Sequence, residues 1–443
     1  MSTRELHLNL FIHGRGHHEA SWRHPRSTGE SLTDLGYYAK LAQVAERGRF
    51  DSMFLADHLV LGEHVGNRAT AGLEPITALA ALAGATTRLG LIGTVSSTYT
   101  EPFNLARQFA SVDHLSGGRA GWNIVTSWAK EAGANFSRDE ELGHDERYVR
   151  AHEVMEVVTA LWDSWADDAV VDDPVTGTYA DVDRIRRVDH VGPHQQVRGP
   201  LNIPRPPQGH PVLVQAGSSG PGKDFAARWA EAVFTAHMHV GSAREFYADL
   251  KARVRGHGRP ESGLLVLPGL SPVLGSTDAE AEQLARELSE LSLTSVGLHH
   301  LSSRFGGADL SHLELDQRLT PADLPPAEQV EGSRSRAVLI RDFVAAEKPT
   351  LRELLDKLAG ARGHFTVTGS PERIADVIEE WFTSGAADGF NIMPPLLPAG
   401  LEDFVDYVVP LLQRRGLFRH EYAGRTLREH YGLERPDDRW PAR

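Results

Sequence analysis

The strongest constraint on this chain is the order of its apolar segments: short runs with strand character alternate with stretches that carry apolar residues at helical spacing. Residues 6–12, 50–56, 89–97 and 121–126 predict strands, and residues 31–47, 75–87 and 102–115 predict the helices between them. Parallel neighbours need crossover connections, so four such strands within about 130 residues predict a parallel sheet. After a long helix over 147–165 the alternation resumes. Strands are expected at 212–215, 232–236, 264–274 and 387–394, with helices at 224–232, 242–254, 276–292, 368–383 and 402–415. Ser31 and Ser276 are the expected N-caps of their helices. Eight strands with intervening helices predict an α/β fold, a (β/α)8 TIM barrel with insertions. A doubly wound open sheet is the alternative, but Ile12-His13-Gly14-Arg15-Gly16-His17 after the first strand is not the GxGxxG turn it would carry. The whole chain, 1–443, reads as one barrel domain with irregular insertions at about 166–210 and 295–363, which are expected to cover the cavity.

Composition narrows the function. A net charge of −14 argues against nucleic acid or an anionic membrane as the main partner. No apolar run approaches the roughly 20 residues of a membrane span, and no secretory leader is evident, so a cytoplasmic location is expected. With no cysteine in the sequence, disulfides, thiolate chemistry and cysteine-held metals are excluded. Redox chemistry would need an organic cofactor or a metal on nitrogen and oxygen.

The stretch from Pro211 to Lys223 predicts a strand, a Gly/Ser turn and a helix start, an arrangement that suits a phosphate. Gly217 with Gly222-Lys223 has the spacing of a phosphate-loop lysine motif, yet Asp224 stands where a magnesium-holding hydroxyl is needed. An ordinary turn is the plainer alternative. Polar residues gather where barrel chemistry sits, at the carboxyl ends of strands: Asp57, Thr94, Ser96, Asn123, Thr126, Ser127, Ser218 and Ser219. Taken singly, Asp57 could cap a turn and Asn123 pair with a loop. His144 and Tyr148, four apart, share one helix face and could both reach an anion, although a histidine there also suits a solvated cap. His13, His17, His18 and His24 cluster near the N-terminus without zinc-like spacing, so no metal is expected. Trp22 and Trp128 could line a cavity or fill core.

The run from His114 to Ser127, His-Leu-Ser-Gly-Gly-Arg-Ala-Gly-Trp-Asn-Ile-Val-Thr-Ser, resembles the fourth-strand motif of the bacterial luciferase-like flavin monooxygenases. The likeness is to the branch of nitrilotriacetate monooxygenase component A, dibenzothiophene-sulfone monooxygenase and long-chain alkane monooxygenase. Gly16-His17 with Trp22-Arg23-His24, the run from His144 to Tyr148, Val197 to Leu201 and Gln215 to Ser219 resemble the same branch in the same order. The sulfone enzymes look nearest, through Val296-Gly297-Leu298 and Leu301-Ser302-Ser303. The resemblance implies a barrel that binds reduced FMN (FMNH2), delivered by a separate NAD(P)H-dependent flavin reductase. With O2 as co-substrate, a flavin peroxide would oxygenate a small organic molecule such as a sulfone, an aminopolycarboxylate or an N-heterocycle. It implies FMN contacts from Asp57, Thr94, Asn123, Ser127, His144, Tyr148, Ser218 and Ser219, a substrate-facing and catalytic role for His17, and a homodimer or homotetramer. Trp128 and Gly62 depart from the alkane enzyme's histidine and tyrosine, which weakens any transfer of alkane specificity. A deazaflavin-dependent hydride transferase and a flavin-binding protein without catalysis are the alternatives.

Overall fold

The computed structural model describes residues 4–61, 65–67, 69–70, 72–127, 130–137, 143–330, 334–438 and 440, with only the backbone of Lys130, His144 and Ser335. Nine strands carry the frame: β1 His7–Ile12, β2 Ser52–Leu55, β3 Gly90–Ser96, β4 Ala120–Val125, β5 Val212–Gln215, β6 Ala232–Thr235, β7 Leu265–Leu274, β8 Phe365–Gly369 and β9 Gly389–Ile392. Eight of them close a ring in the order β1-β2-β3-β4-β5-β6-β7-β9, and β9 returns to β1. Every pairing in the ring is parallel. The expected (β/α)8 barrel is therefore the fold.

The strands read as apolar runs because both faces are covered, inside by facing strands and outside by helices. Phe11, Phe54, Ile92, Val214, Phe234, Leu267 and Met393 form one inward cluster. The Phe11 ring lies 4.6 Å from Phe54 and 5.2 Å from Phe234, so the barrel is plugged at mid-height. Trp122, one residue out of phase with the inward Asn123, faces the helices, and its indole N–H donates to the Val95 carbonyl at 3.1 Å. Arg119, in the fourth-strand motif, is structural: its guanidinium donates to the carbonyls of Ser116, Ala83, Thr86 and Leu89 at 2.7–3.1 Å.

Local chemistry shifts several expected boundaries. Helix α1 is Leu35–Arg47, and its cap is Asp34, whose Oδ1 accepts from Gly36 N–H at 2.8 Å; Ser31 is instead bonded to Thr33. Around the ring follow α2 Pro75–Ala83, α3 Pro102–Ser116, α4 His144–Trp162, α5 Gly220–Trp229, α6 Val240–Gly256 and α7 Asp278–Glu290. Thr277, not Ser276, caps α7, because its Oγ1 accepts from Glu280 N–H at 3.2 Å while Ser276 bonds the Glu280 carboxylate. Residues 166–210 contain two short hairpins, Val170–Asp173 with Thr178–Ala180 and His190–Val191 with Gln196–Val197. Beyond α7, α8 Thr294–Arg304, α9 Arg334–Glu347 and α10 Leu351–Ala361 pack around their own apolar cluster, which includes Leu301, Ala337, Val344 and Leu354. Strand β8 falls partly where a helix was expected. It exists because ten-residue β7 outruns the ring, and Leu270–Leu274 are left to pair with Phe365–Gly369. Helix α11, Pro371–Thr383, follows it. Among the described residues no helix is long and apolar enough to cross a membrane.

Below the plug, Asp51 ties the chain ends together. It accepts from Leu8 N–H at 2.8 Å and pairs with Arg419 at 2.7 Å and His7 at 3.1 Å. Burial alone would raise its pKa, but Arg419 and His7 outweigh burial and lower it. Replacing it with Ala should cost about 2–3 kcal/mol in urea unfolding at neutral pH, since buried Arg419 loses one of its two carboxylates and keeps only Glu5. A group with a lowered folded pKa stabilises fully above its unfolded pKa, about 4 here, and that stabilisation fades as pH falls further. The gap between wild type and Asp51→Ala should therefore narrow only below about pH 4, as seen in denaturation curves across that range.

Candidate active site

Because every strand of a closed parallel ring points the same way, all carboxyl ends share one rim. On the arc from β2 to β5 the expected polar residues come together. Thr94 and Asn123 are register partners on β3 and β4, on the inward side above Ile92, and Asn123 Nδ2 donates to Thr94 Oγ1 at 2.9 Å. The other end of that buried amide, Oδ1, has no partner among the described residues. Turning the amide over would exchange the ends and still leave one unpaired. Just beyond, Ser127 Oγ donates to Ser96 Oγ at 2.8 Å, which in turn accepts from the backbone N–H groups of Thr98 and Tyr99. Asp57 follows β2 half-buried; burial raises its pKa, the His58 N–H opposes this, and Glu74 adds to the rise.

The β5–α5 turn supplies the next group. Helix α5 begins four residues earlier than expected, because Ser219 caps it: its Oγ accepts from Gly222 N–H at 3.1 Å, and Pro221 sits in the first turn, where no donor is needed. Gly217 N–H is taken by Gln215 Oε1 at 2.7 Å. No described residue accepts from the amides of Ser218, Ser219 or Gly220. These amides and the two serine hydroxyls, rather than the whole first turn, are the donors left for an anion. Buried Tyr148, on α4, brings its hydroxyl against the same turn. A Cβ on Gly222 would lie 2.8 Å from that oxygen, and one on Gly217 would lie 2.9 Å from it and 2.4 Å from Gln215 Nε2, so the bare turn lets both side chains approach. Lys223 pairs with Asp249. Its ammonium is thus engaged by a carboxylate rather than by the turn. His144 opens α4, but its side chain lies outside the described residues, as do Trp128 and Gly62.

His17 lies across the rim, against β1, and its geometry differs from a free acid or base. Nε2 donates to the Phe11 carbonyl at 2.8 Å, and Nδ1 accepts from Arg362 Nη2 at 2.9 Å. Both ring nitrogens are thus engaged and the tautomer is set. Burial first, then Arg362, holds its pKa well below the usual 6.5, so the ring is neutral at neutral pH. The other N-terminal histidines disperse: His18 Nδ1 accepts from Ala20 N–H, and His24 reaches Glu287 at 3.3 Å. His13 lies beside His17, with centroids 5.7 Å apart. Trp22 is partly exposed and donates to the Asn67 carbonyl.

Several residues here had no sequence signal. Arg336 Nη2 donates to His364 Nε2 at 2.8 Å, and His364 stacks on Phe234 at the end of β6, with centroids 4.9 Å apart. Gly269 makes room for it, since a Cβ there would lie 2.4 Å from His364 Nδ1. Burial and then Arg336 push the pKa of His237 down to about 4. Arg362 sits at the left-handed C-cap of α10, φ 54°, where the chain turns toward β8. The only available hint was Arg362-Gly363 closing an amphipathic helix, a capping signal that says nothing of a site.

The luciferase-like monooxygenase family model matches residues 14–388. N-acetyl-S-(2-succino)cysteine monooxygenase of Bacillus subtilis (strain 168) is 47% identical over 99% of this chain and 98% of its own. Nitrilotriacetate monooxygenase component A of Aminobacter aminovorans is 44% identical, covering 98% of both chains. A dibenzothiophene-sulfone monooxygenase of Rhodococcus erythropolis (strain XP) is 39% identical, so the sulfone enzymes are not the nearest branch. Among solved structures, a riboflavin lyase with modified FMN and riboflavin superposes with a TM-score of 0.86 at 32% identity, covering 98% of this chain and 97% of that one. With the family model spanning most of the barrel and these relatives matching nearly end to end, the chain belongs to the luciferase-like, flavin-dependent monooxygenases.

Proposed function

We propose that this chain is the oxygenase component of a two-component system. It would take reduced FMN from a separate NAD(P)H-dependent flavin reductase, as the "component A" in a relative's name suggests, and place one atom of dioxygen into a small organic substrate. The observation that carries the reading is the unpaired end of the buried Asn123 amide, on the same arc as the donor-rich turn at Ser218. A flavin mononucleotide fits both. Its polar ring edge can satisfy either end of an amide, and its phosphate suits amide donors at a helix start. In this reading Ser218, Ser219, the Gly220 amide and Tyr148 hold the phosphate, while Asp57, Thr94, Asn123 and Ser127 line the ribityl chain and ring. His144 joins them on the strength of its spacing from Tyr148.

Reduced FMN, when bound, supplies the electrons with which dioxygen gives one atom to substrate and the other to water. The protein's own tasks are to orient the ring, close off water and hold the substrate. With both nitrogens engaged, His17 serves as a positioning residue that fixes Arg362 at the rim.

Reconstitution with a flavin reductase, NADH, FMN and a panel of sulfones, aminopolycarboxylates, alkanes and N-heterocycles under oxygen-18 gas tests the reaction. A product carrying one labelled oxygen is expected, and a product without label overturns monooxygenation. Asn123→Leu should weaken reduced FMN about tenfold in anaerobic fluorescence titration, the loss of one or two hydrogen bonds in a buried site. Gly222→Val should weaken it further, since the added carbons displace Tyr148. The pH profile of kcat/KM should keep its shape in His17→Asn, because the wild-type ring does not titrate near 6.5.

A further inference from the structure

Helices α8, α9 and α10 cover a pocket on the arc of the rim opposite the proposed flavin residues. Arg304, Arg336, Arg362, Glu19 and His300 supply its charged and polar walls, and Ile340, Leu355 and Leu358 its apolar ones. Three guanidinium groups thus face one carboxylate among the described residues. That carboxylate is already held, with Glu19 Oε2 3.2 Å from His300 Nδ1. Burial and the neighbouring Arg304 both push the pKa of Arg336 down. Taking such a cation out of water without a counter-charge is costly, and a bound anion relieves that cost.

Arg336 also has a donor to spare. Nη2 is used on His364, but Nη1 is shut away from solvent and makes no hydrogen bond among the described residues. Gly363, with φ 88°, keeps the space beside it clear, since a Cβ there would lie 3.3 Å from Nη1. A purely structural arginine would only tie α9 to His364, a task needing one donor, and would gain nothing from two more guanidinium groups in the same pocket. A carboxylate, in contrast, matches the paired N–H geometry of a guanidinium. Two of the pocket's arginines are also hydrogen-bonded to residues at the barrel mouth, Arg362 to His17 just after β1 and Arg336 to His364, which stacks on Phe234 of β6.

We propose that this pocket seats carboxylate groups of the substrate, and that the molecule oxygenated is a small organic acid bearing two or more of them. That the anion is the substrate rests on the flavin monooxygenase reading above; that the pocket takes carboxylates stands on its own. The apolar wall suits the carbon skeleton between the acid groups.

Calorimetric titration with (methylthio)succinate and with its uncharged dimethyl ester separates charge from shape. The dicarboxylate should bind the wild type and the ester at least tenfold more weakly. Arg336→Gln should lose about tenfold in dicarboxylate affinity, Arg304→Gln should lose affinity in the same direction, and Arg336→Lys should recover part of the loss. Arg304→Gln, on a different helix, keeps the test open if the Arg336 variants fail to fold. Reduced FMN affinity should stay within about twofold in all of them, which separates this site from the flavin arc. Equal binding of acid and ester, no binding of the acid by wild type, or wild-type affinity for the acid in folded Arg336→Gln or Arg304→Gln overturns the proposal and leaves the flavin reading intact. Normal dicarboxylate binding by a protein that never takes up reduced FMN overturns the assignment of the acid as substrate.

Discussion

Closure of the parallel sheet is the constraint on which everything else rests. The clasp is β7: its first residues pair with β6 at Ala232↔Leu265, its middle pairs with β9 at Gly269↔Asn391, and its last five carry β8. A closed ring has no edge strand, and all eight carboxyl ends meet at one rim. Without that closure, Asp57, Thr94, Asn123 and Ser218 would be polar groups strung along an open sheet. With it, they become neighbours around one mouth, above a plug of phenylalanine rings that closes the barrel below.

The rim divides into arcs of different chemistry. From β2 to β5 it presents the Asp57 carboxyl, an amide, hydroxyls and backbone N–H groups, donors and acceptors that suit a ligand with many polar atoms. Around β1, β6 and β7 it presents guanidinium groups beside His17, His237 and His364, whose pKa values burial pushes down. Neutral imidazoles there accept from the arginines instead of repelling them, which is how Arg362 and Arg336 can be packed so close to the barrel. A protein of net charge −14 thus concentrates positive charge in one covered place. That local surplus, not the overall balance, is what a ligand entering the mouth meets.

Structural and functional polar groups lie close together in the sequence. Within one motif, Arg119 is spent on backbone carbonyls beneath the barrel, Trp122 packs outward against helices, and Asn123 faces the mouth. Strand alternation separates their roles, since neighbouring residues point to opposite faces. Gly217 and Gly222 illustrate the same economy: a Cβ on either would crowd Tyr148, some seventy residues earlier in the chain, and a Cβ on Gly217 would also strike the Gln215 amide.

The strand–helix order, the barrel, the strand-end polar residues and the turn at Gln215 to Ser219 were legible because each is a local pattern: a periodicity, a cap or a glycine cluster within one segment. Local competition was enough to misplace Ser31 and Ser276 as caps, since Asp34 and Thr277 reach the amides better from positions nearby. Strand β8 was hidden for another reason, as its partner is the overhang of β7 and no pattern within 365–369 announces that. The sequence by itself determined the eight strands of the ring and the helices between them, because periodicity and backbone preference act between near neighbours. Only the tertiary structure decided that His17 has no nitrogen to spare and that Arg304, Arg336 and Arg362 share one pocket, because hydrogen bonding, burial and charge depend on atoms that folding brings together from distant parts of the chain.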